Sequence, residues 1–177
     1  MKDIVVFYSN TGSNRYLANR LANAMRCEIK EIKPIINWPL LFWMGINFGN
    51  QKINADLTKY DRVILVGPIW MGKFIVPLKA FVKKHKNEIN KMIFVTCCGS
   101  SYEKKDEQFG HGLVFKQVQE IMKEKCIRCE AFPIVLVVPN DKLEDGKYVM
   151  ETKLSDENFI GDIKERFDGF IESIKKN

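Results

Sequence analysis

The chain alternates short runs of consecutive apolar residues with longer stretches in which apolar positions recur at helical spacing. Ile4-Val5-Val6-Phe7 is continuous, β-branched and aromatic, and it ends in the polar turn Ser9-Asn10-Thr11-Gly12-Ser13-Asn14. Beyond the turn Leu17, Leu21, Ala24 and Met25 repeat at helical intervals, so this segment predicts strand, turn, helix. A second strand is expected over Cys27 to Lys33, and a third over Val63 to Val66, stopped by Gly67-Pro68. Leu78, Phe81, Val82 and His85 mark a helix whose first turn accommodates Pro77. Met92 to Val95 predicts a fourth strand, Val114, Val118, Ile121 and Lys125 a further helix, and Ile134 to Val138, closed by Pro139, a fifth strand. In the last helix Phe159, Ile163, Phe167, Phe170 and Ile174 form the apolar stripe. Ser155 is its expected cap, Asp156 and Glu157 sit in its first turn, and Lys175-Lys176 close it.

Strands that are apolar on both faces need cover on both faces, and their alternation with helices requires right-handed crossovers into a parallel sheet. The expected fold is α/β: a single domain over residues 1–177, a three-layer doubly wound sandwich with five parallel strands in the order 2-1-3-4-5. The ligand site of such a sheet lies at the carboxyl ends of strands 1 and 3, where the winding reverses. Two extensions stand out, near 34–58 and 140–154. In the first, PIINWPLLFWMGINFGN (34–50) is aromatic-rich and broken by Pro39, Gly45 and Gly49. Satellite packing, a lid, a dimer contact and a membrane-interface patch are all open readings, with lid or dimer contact favoured. In the second, Asp145-Gly146 is expected to form a hairpin turn.

At 177 residues, 46% hydrophobic and 28% charged, the composition is that of one soluble globular domain. The net charge of +6 is scattered rather than gathered into a basic arm, so nucleic-acid binding is not indicated. Five cysteines and an N-terminus that runs straight into a strand point to a reducing, cytoplasmic setting. No apolar stretch approaches the ~20 residues needed to span a bilayer, and no transmembrane segment is expected.

Three turns follow strands 1, 3 and 4 and converge on the ligand edge: Ser9 to Asn14, Gly67 to Gly72, and Cys97 to Tyr102. The first contains neither a G-x-G-x-x-G nor a G-x-x-x-x-G-K-[ST] pattern, which excludes a dinucleotide fingerprint and a nucleoside-triphosphate loop. It offers the hydroxyls of Ser9, Thr11 and Ser13, the permissive Gly12 and the positive end of the next helix. That is either an ordinary strand-to-helix turn or a lysine-free cradle for a phosphate monoester. Trp70 in the second turn and Tyr102 in the third are two aromatics able to sandwich a planar ligand. Cys97 and Cys98 fit the packing of small groups near a ring better than a redox pair. Cys126-x-x-Cys129 lacks the second ligand pair of a zinc site and reads as a helix end. His85 closes a helix, and His111 starts one without a visible acid partner; neither anchors a triad. Asp3 and Asp61 lie at the wrong ends of strands 1 and 3 for a phosphoacceptor module.

FYSNTGSN, GPIWMGKFIVPLKAFV and CCGSSYEKKDEQFG, in that order, resemble the phosphate loop, strand 3 loop and strand 4 loop of the flavodoxin-like family, and the resemblance spans essentially the whole chain. It implies FMN as cofactor. Ser9, Asn10, Thr11, Gly12, Ser13 and Asn14 would hold the ribityl phosphate, Trp70 and Tyr102 would flank the isoalloxazine, and backbone near Gly72 and Cys98-Gly99 would meet its polar edge. Pro68, Ile69, Met71, Cys97 and Ser100 complete the implied cofactor-contacting set, with no catalytic residue and no metal ligand. The stretch Lys104 to Gln108 looks inserted relative to the family pattern. The implied function is an electron-transfer protein with a redox partner protein. The alternative is an FMN-dependent oxidoreductase reducing a quinone or other small organic acceptor; FVKKHKNEINKM (81–92) resembles the corresponding segment of menaquinone-dependent protoporphyrinogen oxidases. Lys73, Lys104 and Lys105 depart from the acidic surroundings of carrier flavodoxins. A cation near the ring stabilises an anionic reduced flavin by roughly 1 kcal/mol at 4 Å in water, so a less negative potential is expected.

Overall fold

In the computed structural model, which describes residues 1–176, the continuous apolar runs become strands buried on both sides. In chain order the elements are β1 (Asp3–Phe7), α1 (Ser13–Met25), β2 (Glu28–Glu31), the short α2 (Pro39–Trp43), β3 (Arg62–Val66), β4 (Ile69–Trp70) and β5 (Lys73–Phe74). There follow α3 (Val76–His85), β6 (Lys91–Cys98), α4 (His111–Met122), β7 (Cys126–Pro133), the short α5 (Gly146–Glu151) and α6 (Asp162–Lys175). The main sheet runs β2-β1-β3-β6-β7 and every pairing in it is parallel. This is the doubly wound order expected from the sequence.

Period-two alternation divides the core into two layers. Val5, Phe7, Ile64 and Val66 point to the side covered by α1 and α6, where Leu17, Leu21, Ile163, Phe167 and Phe170 are buried. Ile4, Val6, Val63 and Leu65 point the other way, under Leu78, Phe81 and Val82 of α3 and Val114 and Val118 of α4. At the amino-terminal edge Asp3 sits beside Arg62 in the β1–β3 register. The guanidinium of Arg62 donates from Nε and Nη2 to the two carboxylate oxygens at 3.0 and 2.9 Å, and from Nη1 to the carbonyl of Ile174 at 2.9 Å.

Four local expectations are corrected. The fifth strand is Cys126–Pro133, not Ile134 to Val138, which forms a 3₁₀ turn over Ile134–Val137. β6 stops at Cys98, the partner of Pro133. Beyond that point no strand remains to pair with, and the chain turns to bury Ile134 and Val138 in the α6 layer. Cys126 and Cys129 therefore lie on an edge strand rather than at a helix end. A register shift between Met92 and Ile93 leaves Ile127 as the extra, exposed residue, which turns Cys126 and Cys129 to one side with their sulfurs 3.6 Å apart. The last helix starts at Asp162, because Gly161 adopts φ 57° just before it. Ser155 instead anchors a turn that delivers Phe159 between the rings of Tyr16 and Phe167. Asp145 caps α5, accepting from the amides of Lys147 and Tyr148, so Asp145-Gly146 begins a helix rather than a hairpin.

The extension after β2 is held at its base by the Pro34–Asn50 bridge and by Asn50 Nδ2 donating to the Pro77 carbonyl at 2.8 Å. No helix among the described residues is long and apolar enough to cross a membrane.

Candidate functional site

Parallel strands that end together deliver their following loops to one edge, and here three such ends are tied laterally. The amide of Tyr8 donates to Val66 and that of Gly67 to Val95. The loop after β1 is then fixed from below. Asn14 is buried; its Oδ1 accepts from the Cys97 amide at 2.8 Å and its Nδ2 donates to the Cys97 carbonyl at 3.1 Å. Ser13, also buried, accepts from the amide of Leu154 at 3.2 Å. Ser9 Oγ accepts from the Gly12 amide, closing the turn on itself.

Three of the six expected phosphate holders, Ser9, Ser13 and Asn14, thus engage their side chains in structure. Asn10 and Thr11 are exposed and make no side-chain hydrogen bond within the described residues. They stand at the start of α1, which carries no side-chain cap and no acidic residue in its first turn. Gly12 has φ 111° there, a backbone conformation that L side chains rarely adopt. Open helix-end amides, a free hydroxyl and a free amide form an anion cradle, and a phosphate monoester suits its chemistry.

The second loop is a hairpin. Ile69 pairs with Phe74 and Trp70 with Lys73 around Met71 and Gly72, whose φ values are 48° and 68°, the two positive angles of a type I′ turn. Gln117 of α4 fixes its height: Nε2 donates to the Gly72 carbonyl at 2.9 Å, and Oε1 accepts from the Phe74 amide at 3.1 Å. A Cβ on Gly72 would stand 2.6 Å from the Gln108 carbonyl. Pro68 is buried beneath the hairpin, while Ile69 and Trp70 are half-buried and Met71 is exposed.

Cys97 and Cys98 end β6 rather than opening the third loop; both are buried, and burial pushes both thiols up, Cys98 to about 11. Both are protonated at neutral pH, which suits packing rather than thiolate chemistry. Gly99 is exposed and open above its Cα. Ser100 Oγ accepts from the His111 amide at 3.2 Å and lies 2.9 Å from His111 Nδ1. Burial, then Lys105 and Arg166, hold His111 below the usual histidine range. Tyr102 turns outward toward β7: its hydroxyl donates to the Ala131 carbonyl, the guanidinium of Arg166 lies 4.2 Å from its ring centre, and His111 meets it edge-on.

A cavity of about 920 Å³ opens beside the hairpin, walled by Trp70, Met71, Gly72, Phe42 and Phe109 and rimmed by Lys73, Lys79 and Lys83. Tyr102 does not line it. The aromatics gathered with Trp70 are Phe42, at 6.3 Å between ring centres, and Phe109. Tyr8, given no role of its own in the sequence reading, stands behind Phe42 and donates to Asn37 Oδ1 at 2.8 Å. Burial, then Glu31, raises its phenol to about 12.

A sequence profile for the flavodoxin domain matches residues 46–133. No curated protein matches the chain. Among solved structures, a flavoprotein from Lactobacillus acidophilus NCFM in complex with FMN is similar over 82% of this chain and 98% of that one, with TM-score 0.60 and 16% identity. The apo form of the flavoprotein from the same organism covers 73% and 91%, with TM-score 0.56 and 16% identity. Fusobacterium nucleatum flavodoxin bound to flavin mononucleotide covers 99% and 98%, with TM-score 0.51 and 16% identity.

Proposed function

We propose that the chain, which has the flavodoxin-like fold, binds FMN at the cluster of loops after β1, β3 and β6 and passes electrons to a partner protein. The observation that carries this reading is the anion cradle at Asn10, Thr11 and Gly12, stapled through Asn14 to the β6 backbone that borders the Trp70 hairpin. FMN, when bound, supplies reversible one- and two-electron chemistry; the protein's task is to hold and orient it. Thr11 and Asn10 donate to the phosphate together with the first amides of α1, and Ser9, Ser13 and Asn14 keep that loop in shape. Trp70, Met71 and Gly72, over Pro68 and Ile69, present a rigid wall to the ring. Backbone at Cys98-Gly99 meets its polar edge, with Cys97 and Ser100 fixing that backbone. Trp70 covers one ring face, and Tyr102 braces the third loop against β7.

The decisive experiment is the visible spectrum of natively purified protein, followed by titration of the apoprotein with FMN. Saturable one-to-one binding is expected. Removing both donors in Asn10→Ala/Thr11→Val should weaken it at least ~10-fold, since hydrogen bonds to a charged group contribute about 1.5–3 kcal/mol each. Folded apoprotein that leaves added FMN free overturns the proposal.

A second reading, an FMN-dependent oxidoreductase acting on a quinone or other small organic acceptor, is favoured by one feature: the aromatic-walled cavity of about 920 Å³ beside Trp70 is of small-molecule size. Steady-state turnover of quinones by the FMN-loaded protein separates the two readings.

A further inference from the structure

We propose that the segment from Ile35 to Phe48 docks the protein peripherally on an anionic lipid bilayer. Between Lys33 and Lys52 the chain carries no charged residue. The segment is not a loose loop. Phe42 is buried against Tyr8 and Trp70, and the amides of Ile35 and Gln51 donate to Gly49 and Lys33, which closes its base. On this fixed platform, with Leu41 partly buried beside Phe42, four large apolar groups face solvent: Trp43 is 62% exposed, Phe48 58%, Trp38 54% and Leu40 50%. Contiguous exposure of this kind marks a surface that is covered in use. Tryptophans with flanking lysines form the composition of a membrane interface.

The choice of lipid over protein rests on what the surface lacks and on its charge. Its amide side chains bond within the protein: Asn37 Oδ1 accepts from Tyr8, and Asn47 accepts from Gly49 and reaches toward Asn50. A protein partner of ordinary interface size makes about ten hydrogen bonds, and these residues leave few groups to make them. Trp43 and Met44 line the same cavity as Lys73, Lys79 and Lys83, and no carboxylate lines it. Apolar insertion and a cationic flank on one face are the two signals that stable peripheral binding requires.

The proposal stands on the apolar platform and its lysine flank and holds whether or not the protein binds flavin. Its test is co-sedimentation of the full chain with phosphatidylcholine vesicles that either contain or lack phosphatidylglycerol. All three tryptophans, Trp38, Trp43 and Trp70, lie in or beside the segment, so intrinsic emission reports the docking. Expected are binding to the phosphatidylglycerol vesicles that weakens with salt, a blue shift, and quenching by brominated acyl chains. Trp38→Gln/Leu40→Gln should lower the partition roughly 10-fold or more, and Lys79→Glu/Lys83→Glu should remove the preference for anionic lipid. A folded protein that stays in the supernatant with both vesicle types overturns the proposal. So does a concentration-dependent dimer that shields the tryptophans from a soluble quencher without lipid, because the occupant is then a second copy.

Discussion

Arg62 is 2% exposed, and its guanidinium donates to groups that other elements supply: the Asp3 carboxylate and the Ile174 carbonyl. Removing one partner of a buried pair leaves the other charged and unsolvated. Asp3→Ala should therefore cost about 3–5 kcal/mol in chemical denaturation, whereas Arg15→Ala, which breaks the exposed pair with Glu31, should cost no more than ~1. Equal costs would refute the keystone role of the buried pair. His111 gives a prediction in pH. Its folded-state pKa is depressed, mainly by burial, so the unfolded chain binds the proton more readily and stability is lost as pH falls from the unfolded value of about 6.5. His111→Gln, compared with the parent across that range by thermal melts, should show a flatter acid limb. At this scale the sequence is silent where a side chain's partner is remote. Asn14 sits in a motif that reads as a phosphate grip, yet its amide bonds the backbone 83 positions away. No local pattern records such a contact, nor the turn of Tyr102 toward Ala131.

Among the elements, the interior strands were legible because burial on both faces leaves an unbroken apolar run, as in β1 and β3. The edge strand β7 was not. Arg128 and Glu130 interrupt it, Glu130 serving the guanidinium groups of Arg128 and Arg166, while the continuous run Ile134 to Val138 imitates a strand one turn later. The hairpin β4–β5 was hidden for another reason: at two residues per strand its pairing is weak, and its position comes from α4. Gln117 bridges the Gly72 carbonyl and the Phe74 amide at once. Gln117→Ala should thus free both groups and cost about 1–3 kcal/mol. Hydrogen exchange at the Phe74 amide should quicken, and FMN affinity should fall although Gln117 is not placed in contact with the cofactor. Unchanged protection at Phe74 would mean that the strands hold the turn unaided.

For the whole molecule, the parallel sheet and its two core layers follow from alternation and handedness, and five strands fit the 2-1-3-4-5 order, which is why the ligand edge could be located before any coordinate. The apolar cover over that edge could not, because PIINWPLLFWMGINFGN has no period, and the placing of its buried ring, Phe42, is selected by Tyr8 and Trp70. This architecture makes a global prediction about the cofactor. The cradle, hairpin and third loop come from three separate strands, so a ligand bridging them binds the native state and not the unfolded chain. Linkage then adds about 2.7 kcal/mol of stability when free FMN is 100-fold above its dissociation constant. For a domain of this size that corresponds to a rise of roughly 5–10 °C in melting temperature. Riboflavin, which lacks the phosphate, should give a much smaller rise, and Asn10→Ala/Thr11→Val should bring the FMN shift down toward the riboflavin one. Equal shifts with the two flavins would place the affinity in the ring wall at Trp70 and remove the β1 loop from the binding site.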